Sequence, residues 1–252
     1  MRRLLLIGIG AGDPDHVTVQ AVKALNAFDV LFVVTKEGTD DLVALRRHVV
    51  DRHRTAGAHR TVPLADPPRP WRDAPDYGAA VARWREQRVQ LWEDALRDEL
   101  AEDETGAFLV WGDPSLYEST LAVVQEIAGR GAVAFEHEVI PGVSSIHALT
   151  ARHRIPLNRV GRAVQITPAR LLGGGMPDGV DDVVVMLDAH ATFAALPPDG
   201  IDIYWGAYLG TADELLISGR LGEVAGEIVR VRAEAKRRKG WMFDTYLLRR
   251  TG

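Results

Sequence analysis

Leu4-Leu5-Leu6-Ile7-Gly8-Ile9-Gly10-Ala11-Gly12-Asp13-Pro14-Asp15 decides the class of the fold. A short, unbroken apolar run fits a strand buried on both faces, the kind found in parallel sheets covered by helices. The glycines that follow allow the chain to turn tightly where side chains would obstruct it. Val17, Val22, Leu25 and Phe28 then mark one face of a helix beginning near Thr18, and residues 30–34 are strand-like again. Strand, helix, strand at this spacing implies parallel strands joined by crossover helices.

Working outward, a helix is expected over residues 41–52 and a Pro-, Arg- and Asp-rich loop over 66–75. Tyr77, Val81, Trp84, Leu91, Trp92, Ala95 and Leu96 recur at helical spacing, which predicts a long amphipathic helix to about Glu102. Its aromatic stripe reads as packing rather than ligand contact. A buried strand over 107–111, a helix over 119–130 and a strand over 132–140 follow, and Pro141-Gly142 breaks the chain before a helix to about His153. The second half changes character. Apolar runs at 163–167, 183–187, 201–206, 214–218 and 241–248 read as strands with few long helical patterns between them, so mixed or antiparallel pairing is expected. Lys236-Arg237-Arg238-Lys239 reads as a solvated hairpin end. These changes divide the chain into a parallel-sheet α/β domain, 1–144, and a mixed-sheet α/β domain, 145–252.

Composition narrows the function. The chain has 252 residues, 46% hydrophobic and 26% charged, with a net charge of −5 and no cysteine. An acidic balance argues against a general nucleic-acid binder. Without cysteine there is no disulfide, thiolate metal site or cysteine nucleophile. No histidine or carboxylate spacing suggests a metal site, so none is expected. No apolar run approaches the ~20 residues of a membrane helix, and the Met-Arg-Arg start reads better as the entry to a strand than as a leader. A soluble, cytoplasmic protein without membrane partners is expected.

Three loops stand where chemistry should be. The first, Gly8 to Asp15, lacks the third glycine of a dinucleotide fingerprint, because Asp13 occupies that place, and the chain has no Gly-Lys pair for a P-loop. Asp13 and Asp15 would repel phosphate, so a cationic or zwitterionic ligand suits the loop better. The second, Trp111-Gly112-Asp113-Pro114-Ser115-Leu116-Tyr117, again ends a buried strand, and ligands of open α/β sheets bind outside the carboxyl ends of strands. The third, Ile140-Pro141-Gly142-Val143-Ser144-Ser145, turns from strand into helix with hydroxyl residues that serve equally as caps.

These loops, in this order, resemble the tetrapyrrole methylase family, and the resemblance extends to Val185-Met186-Leu187-Asp188 and to Gly210-Thr211. It implies two α/β domains with the cofactor cleft between them, S-adenosylmethionine as cofactor, a tetrapyrrole substrate and a homodimer. By the same resemblance, Ala11, Gly112, Asp113, Leu116, Ser144, Ser145, Leu187 and Gly210 would contact the cofactor. Ala11 stands where siroheme-type relatives commonly carry proline, which argues against that branch. The run from Phe32 to Lys36 into Asp40–Arg46, the insert with Trp71, Tyr77 and Trp84, and the ending Gly240–Tyr246 are similar to the branch acting in aerobic cobalamin synthesis. That likeness implies C-methylation of precorrin-5 to precorrin-6A with release of acetate.

Methyl transfer chiefly needs alignment, whereas acetyl removal needs a base for water and donors for an oxyanion. Asp13, Tyr117 and His190 lead the candidates, with His16, Lys36, His147 and Asp188 behind them. Arg46, Arg47, Arg83 and Arg85 are candidates for the substrate carboxylates. Other readings are a methylase of the same fold acting on another corrin precursor or a diphthamide intermediate, a non-catalytic tetrapyrrole carrier, and a nucleotide-dependent oxidoreductase. Asp13 in place of the third glycine disfavours the last.

Overall fold

The computed structural model describes residues 1–35, 40–68, 75–173 and 175–251, with the side chains of Asp40 and Asp41 left aside. Lys36 and Trp71 lie outside the described residues. The chain forms two compact units, one of Met1–Gly10 with Pro14–Val143, the other of Ala11–Asp13 with Ser144–Gly252.

The first unit carries a five-stranded sheet made from β1 (Arg2–Gly8), β2 (Val30–Thr35), β3 (Arg60–Ala65), β4 (Thr105–Val110) and β5 (Phe135–Ile140), in the order β3-β2-β4-β1-β5. Every pairing is parallel. Helices α1 (Val19–Leu25), α2 (Asp40–His53), α3 (Tyr77–Glu99) and α4 (Thr120–Arg130) make the crossovers. Alternation along β1 shows why its sequence is apolar throughout. Leu4 and Leu6 join a core with Trp92, Leu96, Phe108 and Val124, while Leu5 and Ile7 join a core with Leu25, Phe28, Val49 and Leu109. Thr18 starts α1 by accepting the Ala21 N–H at 3.0 Å.

The long helix α3 begins at the Asp76 cap, whose carboxylate accepts from Ala79 N–H at 2.9 Å. It stops at Glu99, earlier than its composition suggested, because Leu100 turns to extended backbone and is buried, and its carbonyl accepts from Arg2. The aromatic stripe is packing. Trp92 is fully buried and stacks on Phe108 at 4.4 Å, and the Arg88 guanidinium lies over both Trp84 and Trp92 while pairing with Asp66 at 3.1 Å. Strand β3 was not expected from the sequence. It is a sheet edge with only Leu64 buried, and it contains Pro63, which an edge tolerates.

The second unit carries β6 (Val164–Pro168), β7 (Asp182–Met186), β8 (Ile201–Ala207), β9 (Leu215–Arg220) and β10 (Asp244–Arg250), in the order β6-β7-β10-β8-β9. Only β6 with β7 is parallel, so the sheet is mixed. Helix α5 (Ser145–His153) precedes the sheet, and α6 (Leu221–Lys239) lies between β9 and β10. Helix α6 corrects the reading of Lys236–Lys239 as a hairpin end. Those residues form the last turn of a 19-residue helix, where the negative end of the helix dipole favours cations, and Arg238 and Lys239 pair with Asp213. Leu221, Ile228 and Ala235 bury the helix against Trp205 and Tyr246 in the unit's core.

Candidate active site

Parallel order places the carboxyl ends of β4, β1 and β5 side by side, with the first and second glycine loops leaving from neighbouring strands. Gly10 and Gly112 close an antiparallel bridge, the Gly112 N–H donating to the Gly10 carbonyl at 2.9 Å and the Gly10 N–H to the Gly112 carbonyl at 3.3 Å. Gly142 sits against both. A Cβ there would lie 2.1 Å from the Gly112 carbonyl oxygen and 2.9 Å from Gly8 Cα. The Asp113 carboxylate ties the arrangement together, accepting from the Gly142 N–H at 3.0 Å and from the Ser115 N–H at 2.8 Å. Gly112, Asp113, Leu116 and Tyr117 therefore share one loop system of the first unit. Tyr117 is 44% exposed and holds a left-handed backbone at φ 49°, a conformation that costs energy in a tyrosine.

Gly112 itself is buried at φ 67°. From sequence alone, Gly112→Val is expected to hinder the ligand more than the fold. The structure adds a cost to folding, since a β-branched residue at that φ is strained in any surroundings. We expect Gly112→Val to lower the thermal midpoint clearly, and Gly112→Ala to lower it less; equal midpoints for wild type and the valine variant would contradict this placement.

In the second unit, Ala11–Asp13 packs on the loop after β8. A Cβ on Gly12 would meet the Leu209 carbonyl at 2.4 Å, and one on Gly210 would meet the Asp13 N at 2.5 Å. Backbone meets backbone here, which explains glycine at both places. Glu214 accepts the Gly210 N–H at 2.8 Å and is held by Arg152 at 2.6 Å. Ser144 caps α5: its hydroxyl accepts from the His147 N–H at 3.4 Å and lies 2.8 Å from His147 Nδ1. Ser144 is buried and Ser145 half-buried.

Leu187 follows the last residue of β7 with a left-handed backbone, φ 56°, and an apolar side chain 64% exposed. Beneath it, the buried Asp188 carboxylate is saturated. It accepts from the His190 N–H at 2.9 Å, the Thr192 N–H at 2.7 Å, the Thr192 hydroxyl at 3.0 Å and the Tyr246 hydroxyl at 2.8 Å. This removes Asp188 from the candidate bases, since its lone pairs are committed to structure. His190 and His147 are exposed, Asp13 and His16 half-buried. The sequence reading missed Tyr246, Arg232 and Asp244, which complete the Asp188 cluster from other elements.

Of the four candidate arginines, Arg47, Arg83 and Arg85 are exposed. Arg46 is half-buried at the ends of β2 and β4. It donates from Nε to the Leu109 carbonyl at 3.2 Å and lies 5.9 Å over the Trp111 ring. Burial pushes its pKa below the usual guanidinium value, and Glu118 partly opposes that shift. Among the described residues no group of three or more His, Asp or Glu side chains is arranged to hold a metal ion, and no helix is long and apolar enough to cross a membrane.

Strand ends cleared by glycine in the first unit, and an exposed apolar residue following a strand in the second, are the features of an α/β protein that the comparisons can test. Comparison with known proteins gives the class. The chain matches the family model of Tetrapyrrole (Corrin/Porphyrin) Methylases over residues 3–225, and it belongs to that family. It is 47% identical over 251 residues to precorrin-6A synthase [deacetylating] of Sinorhizobium sp, covering 99% of this chain and 96% of the relative. A solved structure of a protein described as related to cobalamin synthesis (CobF), from Corynebacterium diphtheriae, superposes with a TM-score of 0.85 at 32% identity over 100% of both chains. Uroporphyrin-III C-methyltransferase of Thermus thermophilus, solved with S-adenosylhomocysteine, shares the fold at a TM-score of 0.60 and 20% identity, over 98% of this chain and 96% of that one.

Proposed function

We propose that the protein is an S-adenosylmethionine-dependent C-methyltransferase of cobalamin biosynthesis, converting precorrin-5 to precorrin-6A with release of acetate. The observation that carries this reading is the end-to-end likeness to the Sinorhizobium precorrin-6A synthase, 47% identity over 99% of the chain. The residues suit the cofactor. Its sulfonium and amino groups are cationic, and the loops offer carbonyls, Asp13 and Asp113 rather than a phosphate-binding lysine. Ala11, Gly112, Asp113, Leu116, Ser144, Ser145, Leu187 and Gly210 would hold it. When bound, it supplies an electrophilic methyl group.

The chain's own groups have two further tasks. Water adds to the acetyl carbonyl while a base takes its proton; Asp13, Tyr117 and His190 are the candidates. The ring-to-acetyl carbon–carbon bond would then break, the oxygen of water leaving in acetate, and the ring carbon would keep the electron pair with which it could take the methyl group as the methyl–sulfur bond breaks and S-adenosylhomocysteine leaves. Of the four candidate arginines, Arg46, half-buried beside Trp111, is the one we assign to a substrate carboxylate. A cytoplasmic homodimer, each chain dividing near residue 144, is the working assembly.

The test is incubation with precorrin-5 and methyl-labelled cofactor, followed by mass spectrometry and an acetate assay. Precorrin-6A and acetate are expected in equal amounts. With S-adenosylhomocysteine in place of the donor, little acetate is expected, because a ring carbanion without an electrophile is reprotonated or returns to the acetyl carbon. Acetate formed equally in both cases would defeat the coupling, and cofactor binding without turnover would leave a carrier.

A further inference from the structure

A polar cluster buried in the second unit carries an inference about how the methyl donor is positioned, and it rests on the reading just given. The turn after β7 holds two non-glycine residues in the left-handed region, Leu187 and Ala191, both at φ 56°. Such residues persist only where their surroundings over-determine them. Here the surroundings are explicit. The Asp188 carboxylate takes four hydrogen bonds, three from the turn itself and one from Tyr246 on β10. Arg232, on α6, donates to the Asp188 carbonyl and, from Nε, to Asp244 at 2.8 Å. Trp205 Nε1 donates to the same Asp244 oxygen at 3.0 Å. Phe193, just past the turn, packs edge-on against Tyr246 at 5.1 Å.

The turn is thus tied to β8, β10 and α6. Burial pushes the Tyr246 hydroxyl far above its ordinary pKa and Asp188 adds to the shift, so Tyr246 remains a neutral donor. Asp188 by itself satisfies the turn's N–H groups, and beyond it an apolar core would serve stability as well as the Arg232–Asp244 pair, since replacing buried ion pairs with hydrophobic groups is often neutral or stabilising. What the cluster secures that an apolar core would not is the directional hold on one turn, which leaves an apolar side chain displayed at a strand end.

We propose that Tyr246 and Arg232 are positioning residues for the methyl donor: acting through Asp188, they lock the Leu187–Thr192 turn so that Leu187 is presented to the cofactor in a fixed pose. Neither touches the ligand.

The test compares Tyr246→Phe with Asp182→Asn, a substitution at the opposite end of β7, equally buried but unconnected to the turn. Calorimetry with S-adenosylhomocysteine, thermal midpoints and hydrogen exchange at the His190 and Thr192 amides are measured for each. Tyr246→Phe is expected to raise Kd about tenfold and to speed exchange at those amides, a loss consistent with one buried acceptor left short of a donor. Asp182→Asn is expected to lower the thermal midpoint at least as much while leaving Kd within about twofold, because its effect lies away from the turn. Should Tyr246→Phe not fold, Thr192→Val removes one donor at the half-buried rim, and Kd should rise about threefold. Unchanged Kd in the folded variant, or an equal rise in Asp182→Asn, overturns the proposal. Failure of the wild type to bind overturns the methyl-donor reading as well, and is seen before any variant is compared.

Discussion

Gly142→Ala is expected to destabilise the first unit by about 3 kcal/mol or more, near the upper end for overpacking in a well-packed region. The added methyl carbon would lie 2.1 Å from the Gly112 carbonyl oxygen and 2.8 Å from the Gly8 carbonyl carbon. Both neighbours are backbone at the ends of parallel strands, so neither can rotate away. Relief requires separating the strand ends of β1, β4 and β5, which would also break the Asp113 bond to the Gly142 N–H and the Gly10–Gly112 bridge. Urea unfolding followed by far-ultraviolet circular dichroism measures the loss. Gly129→Ala, on α4, has nothing within 4 Å of the new carbon and is the matched control, expected to be neutral or slightly stabilising because alanine favours helix. Equal midpoints for the two variants would refute the close packing.

Asp182→Ala should have an effect of similar size on the second unit. Asp182 is fully buried at the start of β7, where its carboxylate accepts from Arg249 Nε at 2.6 Å and Arg159 Nε at 3.3 Å. Arg249 is its cross-strand partner on β10 and is itself mostly buried. Removing the anion leaves that guanidinium without its charge partner, a change that typically costs about 3–5 kcal/mol. Arg159 is more exposed, and solvent screens its share. The double variant Asp182→Ala/Arg249→Met should recover much of the loss, because no buried cation then remains. A double variant no more stable than the single one would show that the cost lies in packing.

How far the sequence could be read follows the range of the interactions. β1 and the glycine loop were legible because a doubly buried strand and a tight turn declare themselves locally. β3 was not, since Arg60-Thr61-Val62-Pro63 is an exposed edge with no apolar alternation. Helix α6 had its signal in Leu221, Val224, Ile228, Val231 and Ala235, but frequent charges between them, including the buried Arg232, blurred the stripe. The family loops were visible as motifs, whereas the support under Leu187 was not. Asp188 meets Arg232 and Tyr246 across 44 and 58 residues, and no spacing rule reaches that far. The same non-local bonding turns Asp188, a plausible base on paper, into a structural group.

The placement of Ala11–Asp13 bears on biosynthesis of the chain itself. These three residues leave the ribosome directly after β1, long before the backbone they pack against, Leu209–Thr211. The nascent first unit must therefore wait with its β1–α1 connection unfinished. A fragment ending at Val143 would retain that gap for good, and one beginning at Ser144 would lack the segment that fills the groove beside Gly210. Neither half can be excised as a continuous stretch of chain without leaving part of its packing behind.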